Sequence, residues 1–263
     1  MATAQPTDTA PVRTEIREDI GILTLDQPAR RNPLSLETMR AATAALQELS
    51  GAGIGAIVVR AEGPAFSAGH DLSEMVNRSL DDEREIFAVC TELMETVQRV
   101  PQPVVAAVQG VAVAAGCQLV ATCDLAVAAS GAVFGTPGVR IGLFCSTPMV
   151  AVGRAIGRKR ALQMLLTGEV VDAATAADWG LVNEVVHPDR LDERACELAR
   201  SIAKASPLTL RVGKQAFYRQ IDLPQDRAYE EMREVMATNA VTCDAQEGMS
   251  AFLAKRAPVW QGR

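Results

Sequence analysis

The sequence predicts an α/β fold, with one mostly parallel, covered sheet followed by a helical section. Two observations lead to this expectation. Short apolar runs alternate with amphipathic helical segments as far as Asp189, and from there on the spacing of apolar residues is helical only. The chain has 263 residues, which is enough for one large core or two modest domains.

Capping residues set the boundaries of the predicted elements. Ser35 is placed as an N-cap, Gly180 as a C-cap, and Pro207 and Pro224 fall near helix starts, where proline is tolerated. In chain order we predict two strands within 14–26, a helix over 35–49, a strand over 56–60, a helix over 82–100, a strand over 125–129, helices over about 148–156, 158–167 and 173–179, a strand over 181–186, and helices over about 190–205, 207–221, 225–240 and 245–255.

Composition excludes several classes of protein. Apolar residues make up 48% and charged residues 22% of the chain, which is ordinary for a soluble globular protein, and the net charge of -6 argues against a surface for nucleic acid or anionic membrane. Residues 1–12 lack the pattern of a signal peptide and are predicted to be a short disordered tail. The six cysteines form no CxxC pair and the two histidines are not at ligand spacing, so we expect free thiols, no metal site and a cytoplasmic protein.

One stretch, VQGVAVAAGCQLVATCD at 108–124, organises the chain. It begins as a strand, turns at Gly110, and passes through small residues before helical spacing starts. The first amides of a helix lack intrahelical partners, so those near Ala115 and Gly116 can hold an anion or a polarised carbonyl oxygen. The alternative is a tightly packed, buried strand–turn–helix. Polar residues interrupt this apolar region, which favours burial in the protein over a membrane span.

Three motifs in order resemble those of the crotonase superfamily, also called the enoyl-CoA hydratase/isomerase family. They are LDQPARRNPLS at 25–35, AFSAGHDL at 65–72 and VQGVAVAAGCQLVATCDLAVAA at 108–129. The resemblance implies a crotonase-like ββα spiral core over 13–200, a helical C-terminal trimerisation region over 201–263, and a homotrimer or hexamer. It also implies acyl-CoA ligands, with coenzyme A entering as part of the substrate and no tightly bound cofactor.

The resemblance also assigns residues to the ligand. In the family two main-chain amides bind the thioester oxygen, and the matching positions are His70 and Ala115. Because the donors belong to the main chain, a histidine at position 70 need not remove them. The neighbouring positions of the same motif that the resemblance places at the ligand are Ala68, Gly69, Asp71 and Leu72.

The catalytic carboxylates of the family are absent. Hydratases use two glutamates, whose matching positions are Gln118 and Gly138, and isomerases use a carboxylate at the position of Ser146. Gln118 can hydrogen-bond a water molecule but cannot accept its proton near neutral pH. The sequence thus resembles a subgroup, the hydratase-domain-containing proteins, that lacks the glutamate pair. Three hypotheses stay open: an acyl-CoA-processing enzyme, a weakly catalytic acyl-CoA-binding or regulatory protein, and a structural oligomer subunit.

Some side chains have two interpretations. His70 is either a general base or a group gripping the thioester, or it is a half-buried imidazole hydrogen-bonded within its loop. Cys145 and Ser146 lie where family members place catalytic groups, and either becomes a nucleophile only if the fold brings a base such as His70 to it. Asp71 is interpreted mainly as a helix cap.

Basic residues provide candidate contacts for the nucleotide of CoA. Arg30 and Arg31 lie in the first motif, and arginine suits phosphate recognition, although a solvated loop explains them as well. Lys255 and Phe252 resemble C-terminal residues that reach CoA in the family, sometimes in a neighbouring subunit.

Overall fold

The computed structural model describes residues 10–263, which form two sheets, ten α-helices and several 3₁₀ turns. The strands are β1 (Val12–Arg17), β2 (Ile20–Leu25), β3 (Ala56–Ala61), β4 (Ala65–Ser67), β5 (Val104–Val108), β6 (Val111–Val113), β7 (Leu125–Ala129), β8 (Val133–Gly135), β9 (Val170–Asp172) and β10 (Glu184–Val186). The helices are α1 (Leu36–Ser50), α2 (Leu80–Arg99), α3 (Ala115–Thr122), α4 (Pro148–Ile156), α5 (Arg158–Thr167), α6 (Ala173–Trp179), α7 (Leu191–Ala203), α8 (Pro207–Gln220), α9 (Gln225–Ala240) and α10 (Cys243–Leu253).

The strands are shared between a six-stranded sheet, in the order β1-β2-β3-β5-β7-β10, and a four-stranded sheet, in the order β4-β6-β8-β9. Among the strand pairs of residues 10–263, only β1–β2 and β8–β9 are antiparallel. Consecutive strands such as β5 and β6 lie in different sheets, and a helix then returns the chain to the first sheet. This repeated ββα turn is the predicted spiral, and the expectation of a mostly parallel, covered sheet is confirmed.

Burial explains the long apolar stretch in the middle of the chain. All five residues of β5 are completely buried, and four of the five residues of β7 are buried. Parallel strands covered on both faces have continuous apolar sequences, so the predicted buried strand–helix–strand is confirmed. Within residues 10–263, no helix has the length and apolar character needed to cross a membrane.

Helix caps account for most of the boundaries that the sequence predicted. The Ser35 side chain accepts from the Thr38 amide at 3.1 Å, and Gly180 ends α6 in the left-handed conformation, both as expected. The second long helix, α2, begins two residues before the predicted position because Ser79 and Asp82 form a capping box.

A buried ion pair attaches the C-terminal helices to the core. Lys214 in α8 lies 2.7 Å from Asp124 and donates to the carbonyls of Val97 and Gln102, at 2.8 and 2.9 Å. Burial lowers the pKa of Lys214, whereas Asp124 acts in the opposite direction. Because every donor of the ammonium group has a partner, the buried charge is tolerated.

Two contacts lie near the predicted domain boundaries. Most of the predicted tail over 1–12 lies outside the described residues, and the last of its positions, Val12, pairs with Leu25. Helix α7, which spans the predicted boundary at 200, packs on the six-stranded sheet through Leu191, Ala195 and Ala199. The division into a core and a C-terminal helical region stays a prediction.

Candidate active site

A cavity of about 660 Å³ lies where three parallel strands end. Strands β4, β6 and β8 are neighbours in the smaller sheet, and their carboxyl ends share one edge. Ligand sites form at the carboxyl ends of parallel strands. The lining residues are Arg30, Pro33, Ala68, His70, Asp71, Leu72, Met75, Phe87, Ala114, Ala115, Pro137, Gly138, Arg140, Ile141, Leu143, Phe144, Cys145, Ser146, Thr147 and Pro148.

Two faces of this cavity are formed by different parts of the chain. We call the peptide between Gly69 and His70 together with the Ala115 amide the amide side, since main-chain groups define it. Residues 137–148, which follow β8, form the loop side. The sequence predicted hydrogen-bond donors for the first face and missing carboxylates for the second.

On the amide side, Leu34 fixes the direction of the peptide between Gly69 and His70. The Leu34 amide donates to the Gly69 carbonyl at 2.8 Å. A trans peptide holds its C=O and N–H on opposite sides, so this bond turns the His70 N–H away from Leu34. A second hydrogen bond fixes the same segment, since the Ala68 amide donates to the Arg31 carbonyl at 3.0 Å.

The second amide is presented by the start of α3. Ala114 has φ 51° and ψ −119°, a conformation that non-glycine residues rarely adopt and that is found at functional sites. Its carbonyl accepts from the Gln118 amide at 3.0 Å, so the Ala115 N–H points out of the helix N-terminus. Gly69 is close by, since a Cβ on it would lie 3.3 Å from the Ala115 nitrogen.

Neither amide is used elsewhere. Among residues 10–263, no hydrogen bond is formed by the N–H of His70 or of Ala115, and both residues line the cavity. Buried backbone donors are almost always paired, so two unpaired ones at one cavity identify a place for a ligand oxygen.

The His70 imidazole is held by a segment that is distant in the sequence. Its Nδ1 lies 3.2 Å from the Leu34 carbonyl, and Nε2 is buried without a partner. The ring stands edge-on to Phe87, with centroids 5.6 Å apart. Burial lowers the pKa of His70, which favours the neutral ring, and a carbonyl partner requires the proton to be on Nδ1. The imidazole is half-buried as the second interpretation expects, but its partner lies 36 residues away and not within the loop. The buried Nε2 opposes the general base, whose free nitrogen would have to face the cavity.

The Gln118 side chain contacts α2. The residue is 5% exposed, is not among the lining residues, and its Oε1 lies 3.9 Å from the Cys90 thiol on α2. Its place beside a reacting water, which the resemblance implies, stays a prediction.

Gly138 lies on the cavity wall as predicted, yet its side-chain position is occupied. A Cβ there would overlap the carbonyl oxygen of Leu143 and lie 2.8 Å from the Cys145 sulfur. The Leu143 amide donates to the Gly138 carbonyl at 3.0 Å, which closes the loop tightly. The main chain at Leu143 thus occupies the space that a side chain at position 138 would need.

The candidate nucleophiles of the loop side lack an activating base. Cys145 and Ser146 line the cavity, but the Ser146 hydroxyl bonds the Phe144 carbonyl at 3.4 Å. Burial raises the pKa of the Cys145 thiol. Since His70 Nδ1 is bonded to Leu34 and its Nε2 has no partner, the histidine activates neither residue.

Charged groups surround the mouth of the cavity. Arg30 and Asp71 form an ion pair at the rim. Burial opposes ionisation of Asp71, but hydrogen bonds from Ser73 and Arg30 prevail and lower its pKa. Asp71 also accepts from the Ser73 amide at 3.1 Å, which confirms its role as a cap. Arg140, which the sequence analysis missed, lines the cavity without an ion-pair partner in the described part of the chain.

Three predicted ligand contacts lie outside this cavity. Arg31 is exposed and does not line it, and Phe252 and Lys255 lie at the exposed end of α10.

The described residues contain no cluster of His, Cys, Asp or Glu side chains that could hold a metal ion. Ala68 and Leu72 line the cavity where expected, whereas Gly69 contributes through its contact with Ala114.

The fold and the cavity agree with the comparisons. The sequence profile described as enoyl-CoA hydratase/isomerase matches residues 15–263, and the chain belongs to this family.

The chain is 45% identical, over 96% of its length and 86% of the relative, to the enoyl-CoA hydratase domain-containing protein 3, mitochondrial, of Rattus norvegicus. A crystal structure of an enoyl-CoA hydratase of Mycobacterium smegmatis is 44% identical, with a TM-score of 0.92, over 95% of this chain and 98% of that one. The human enoyl Coenzyme A hydratase domain-containing protein 3 is 42% identical, with the same TM-score of 0.92, over 95% of this chain and 100% of that one.

The comparisons contradict the predicted cytoplasmic localisation. Relatives from Rattus norvegicus, Mus musculus, Danio rerio and Homo sapiens, 45%, 43%, 43% and 44% identical, are all named mitochondrial. The prediction was wrong because free thiols and an acidic composition suit several reducing compartments equally.

Proposed function

We propose that the protein processes acyl-CoA thioesters in this cavity, with the amides of His70 and Ala115 acting as an oxyanion hole. The observation that supports this most is the pair of unpaired amides lining one cavity in a chain of this family. Donors of this kind stabilise the negative charge that develops on a carbonyl oxygen, and losing one typically costs about 100- to 1000-fold in rate.

The reaction proceeds through an enolate or a tetrahedral oxyanion without the glutamate pair. General acid–base groups contribute about 100- to 10,000-fold each. With glutamine at position 118 and the side-chain position of Gly138 filled, hydration by the two-glutamate route is expected to be slow. Any proton transfer therefore depends on the substrate, on water, or on a group outside this pair.

Coenzyme A is proposed to enter as part of the substrate. The Arg30 guanidinium at the rim and the exposed Arg31 are placed to meet phosphate groups. Phe252 and Lys255 lie away from the cavity of their own chain, so we assign them to CoA bound by a neighbouring subunit of a homotrimer or hexamer. Their exposure, 83% for Phe252, favours such a contact.

A panel of acyl-CoA thioesters tests the proposal. The purified protein is incubated with crotonyl-CoA and with saturated, unsaturated and 3-hydroxy thioesters, beside an ordinary two-glutamate hydratase as a control. Turnover of at least one thioester, with slow loss of the conjugated absorbance of crotonyl-CoA, is expected. No turnover of any thioester contradicts the proposed activity, and hydration as fast as the control contradicts the interpretation of positions 118 and 138.

A second candidate is an acyl-CoA-binding protein with little catalysis. It is favoured by the loop side, where the main chain of Leu143 fills the position of a catalytic side chain. Calorimetry distinguishes the two: binding of a thioester without turnover supports the second candidate, and absence of binding excludes both.

A further inference from the structure

The His70 side chain makes two contacts that the oxyanion hole alone does not explain. Its Nδ1 bonds the carbonyl of Leu34, the same residue whose amide bonds the Gly69 carbonyl. We propose that the His70 imidazole is a positioning residue, which holds its own main-chain amide towards the thioester oxygen and takes no proton from the substrate. This inference rests on the proposed function and assigns the role of one side chain within it.

The loop needs such a restraint because of Gly69. Gly69 has φ +91°, and a Cβ on it would lie 2.9 Å from the Cβ of Ala114, so only glycine fits. Glycine leaves the following peptide free to rotate. Leu34 bonds the Gly69 carbonyl before this peptide and the His70 ring after it. Together the two hydrogen bonds prevent the peptide from rotating.

The remaining contacts of the ring oppose acid–base chemistry. Nε2, the nitrogen that carries the lone pair, is buried and unpaired, and the ring stands perpendicular to Phe87. The two carboxylates near the ring already have partners of their own. Glu74 accepts a hydrogen bond from the Leu36 amide at 2.9 Å, and Asp71 forms an ion pair with Arg30. A general base would present its free nitrogen to the substrate.

Nuclear magnetic resonance of the ring nitrogens tests the contact without requiring activity. The chain has two histidines, so the His187→Gln variant assigns both. His187 is exposed, and its Nδ1 accepts from the Asp189 amide at 3.4 Å. We expect the His70 ring to be neutral at pH 7, with its proton on Nδ1. A proton on Nε2, or a doubly protonated His70 ring at pH 7, overturns the proposal.

Three variants test the role in turnover. In asparagine the side-chain nitrogen is bonded to Cγ, as Nδ1 is in histidine, so His70→Asn can keep the bond to Leu34. In His70→Gln the nitrogen instead lies near the Nε2 position, and His70→Ala lacks both. We expect His70→Asn to retain kcat within about 5-fold, and the other two to lose about 100-fold in kcat with little change in KM.

The outcomes separate the two proposals. If the wild-type protein turns over a thioester and His70→Asn is as slow as His70→Ala, at equal Tm, the positioning role is overturned and the proposed function stands. A basic limb of the kcat/KM profile that disappears in all three variants identifies a general base and also overturns it. A wild-type protein that neither binds nor turns over any thioester overturns the proposed function, and the positioning role with it.

Discussion

The two faces of the cavity differ in whether main-chain atoms or side chains would carry the chemistry. On the amide side the functional groups are the main-chain N–H groups of His70 and Ala115, which survive any substitution that keeps the backbone path. On the loop side the resemblance implies a catalytic carboxylate at position 138, and here the Leu143 carbonyl occupies that side-chain position. The proposed function therefore keeps charge stabilisation by main-chain groups and lacks a carboxylate for proton transfer at this position.

Moving the peptide on the amide side is expected to have the largest effect. Gly69→Ala places a methyl group 2.9 Å from Ala114 Cβ at a positive φ, so the His70 amide must shift. We expect turnover to fall by about 100-fold, as for loss of one oxyanion donor, in a steady-state assay. Gly53→Ala is the matched control, because Gly53 also has a positive φ but no atom within 4 Å. Equal losses of activity in both variants would contradict the account.

Adding a side chain to the loop side is expected to reduce stability without restoring hydration. Gly138→Ala and Gly138→Glu both force the Leu143 carbonyl to move, and overpacking of this kind typically costs about 1–3 kcal/mol. Chemical denaturation measures the cost, with Gly131→Ala, where a Cβ meets nothing within 4 Å, as the control. A stable Gly138→Glu protein that hydrates crotonyl-CoA faster than wild type would show that the loop opens readily.

Acid is expected to weaken the amide side through His70. Burial lowers the pKa of His70, against the opposing effects of the Leu34 carbonyl and Glu74. The unfolded chain then binds a proton at higher pH than the folded chain does. This contribution to stability is complete above about pH 6.5 and is lost as the pH falls below that value. The fall in Tm between about pH 7 and about pH 5 should be smaller in His70→Asn than in wild type, and an equal fall contradicts this.

Removing the thiol on the loop side is expected to have the smallest effect. Burial raises the pKa of Cys145, and no base activates it. Cys145→Ser should change thioester turnover by less than about 3-fold, because the thiolate that a nucleophilic mechanism needs is scarce. A loss of about 100-fold, measured beside Cys243→Ser as an exposed control, would make Cys145 a catalytic residue.

Local signals in the sequence predicted much of the fold. Helices α4, α5 and α6 have the predicted bounds, because Pro148 and the glycines at 157, 168 and 180 mark their ends. The amide pair at positions 70 and 115 was placed through the family resemblance, and the unpaired state of both amides agrees with that placement.

Contacts between distant main-chain atoms could not be predicted. Leu34 fixes the His70 loop with its own N–H and C=O, and no side-chain pattern records such bonds. The absence of a side chain at Gly138 suggested an empty site, whereas the Leu143 carbonyl occupies it. Gln118 was placed at the cavity by motif alone, and its contact with Cys90 on α2 is of the same unpredicted kind.

The central claim is that two main-chain amides bind one thioester oxygen. Isotope-edited infrared spectroscopy measures this directly, with an acyl-CoA labelled with ¹³C at the thioester carbonyl. The account predicts that the carbonyl stretch of the bound ligand shifts to lower frequency than in water, and that Gly69→Ala removes most of this shift. A bound thioester whose carbonyl stretch matches that in water would contradict it.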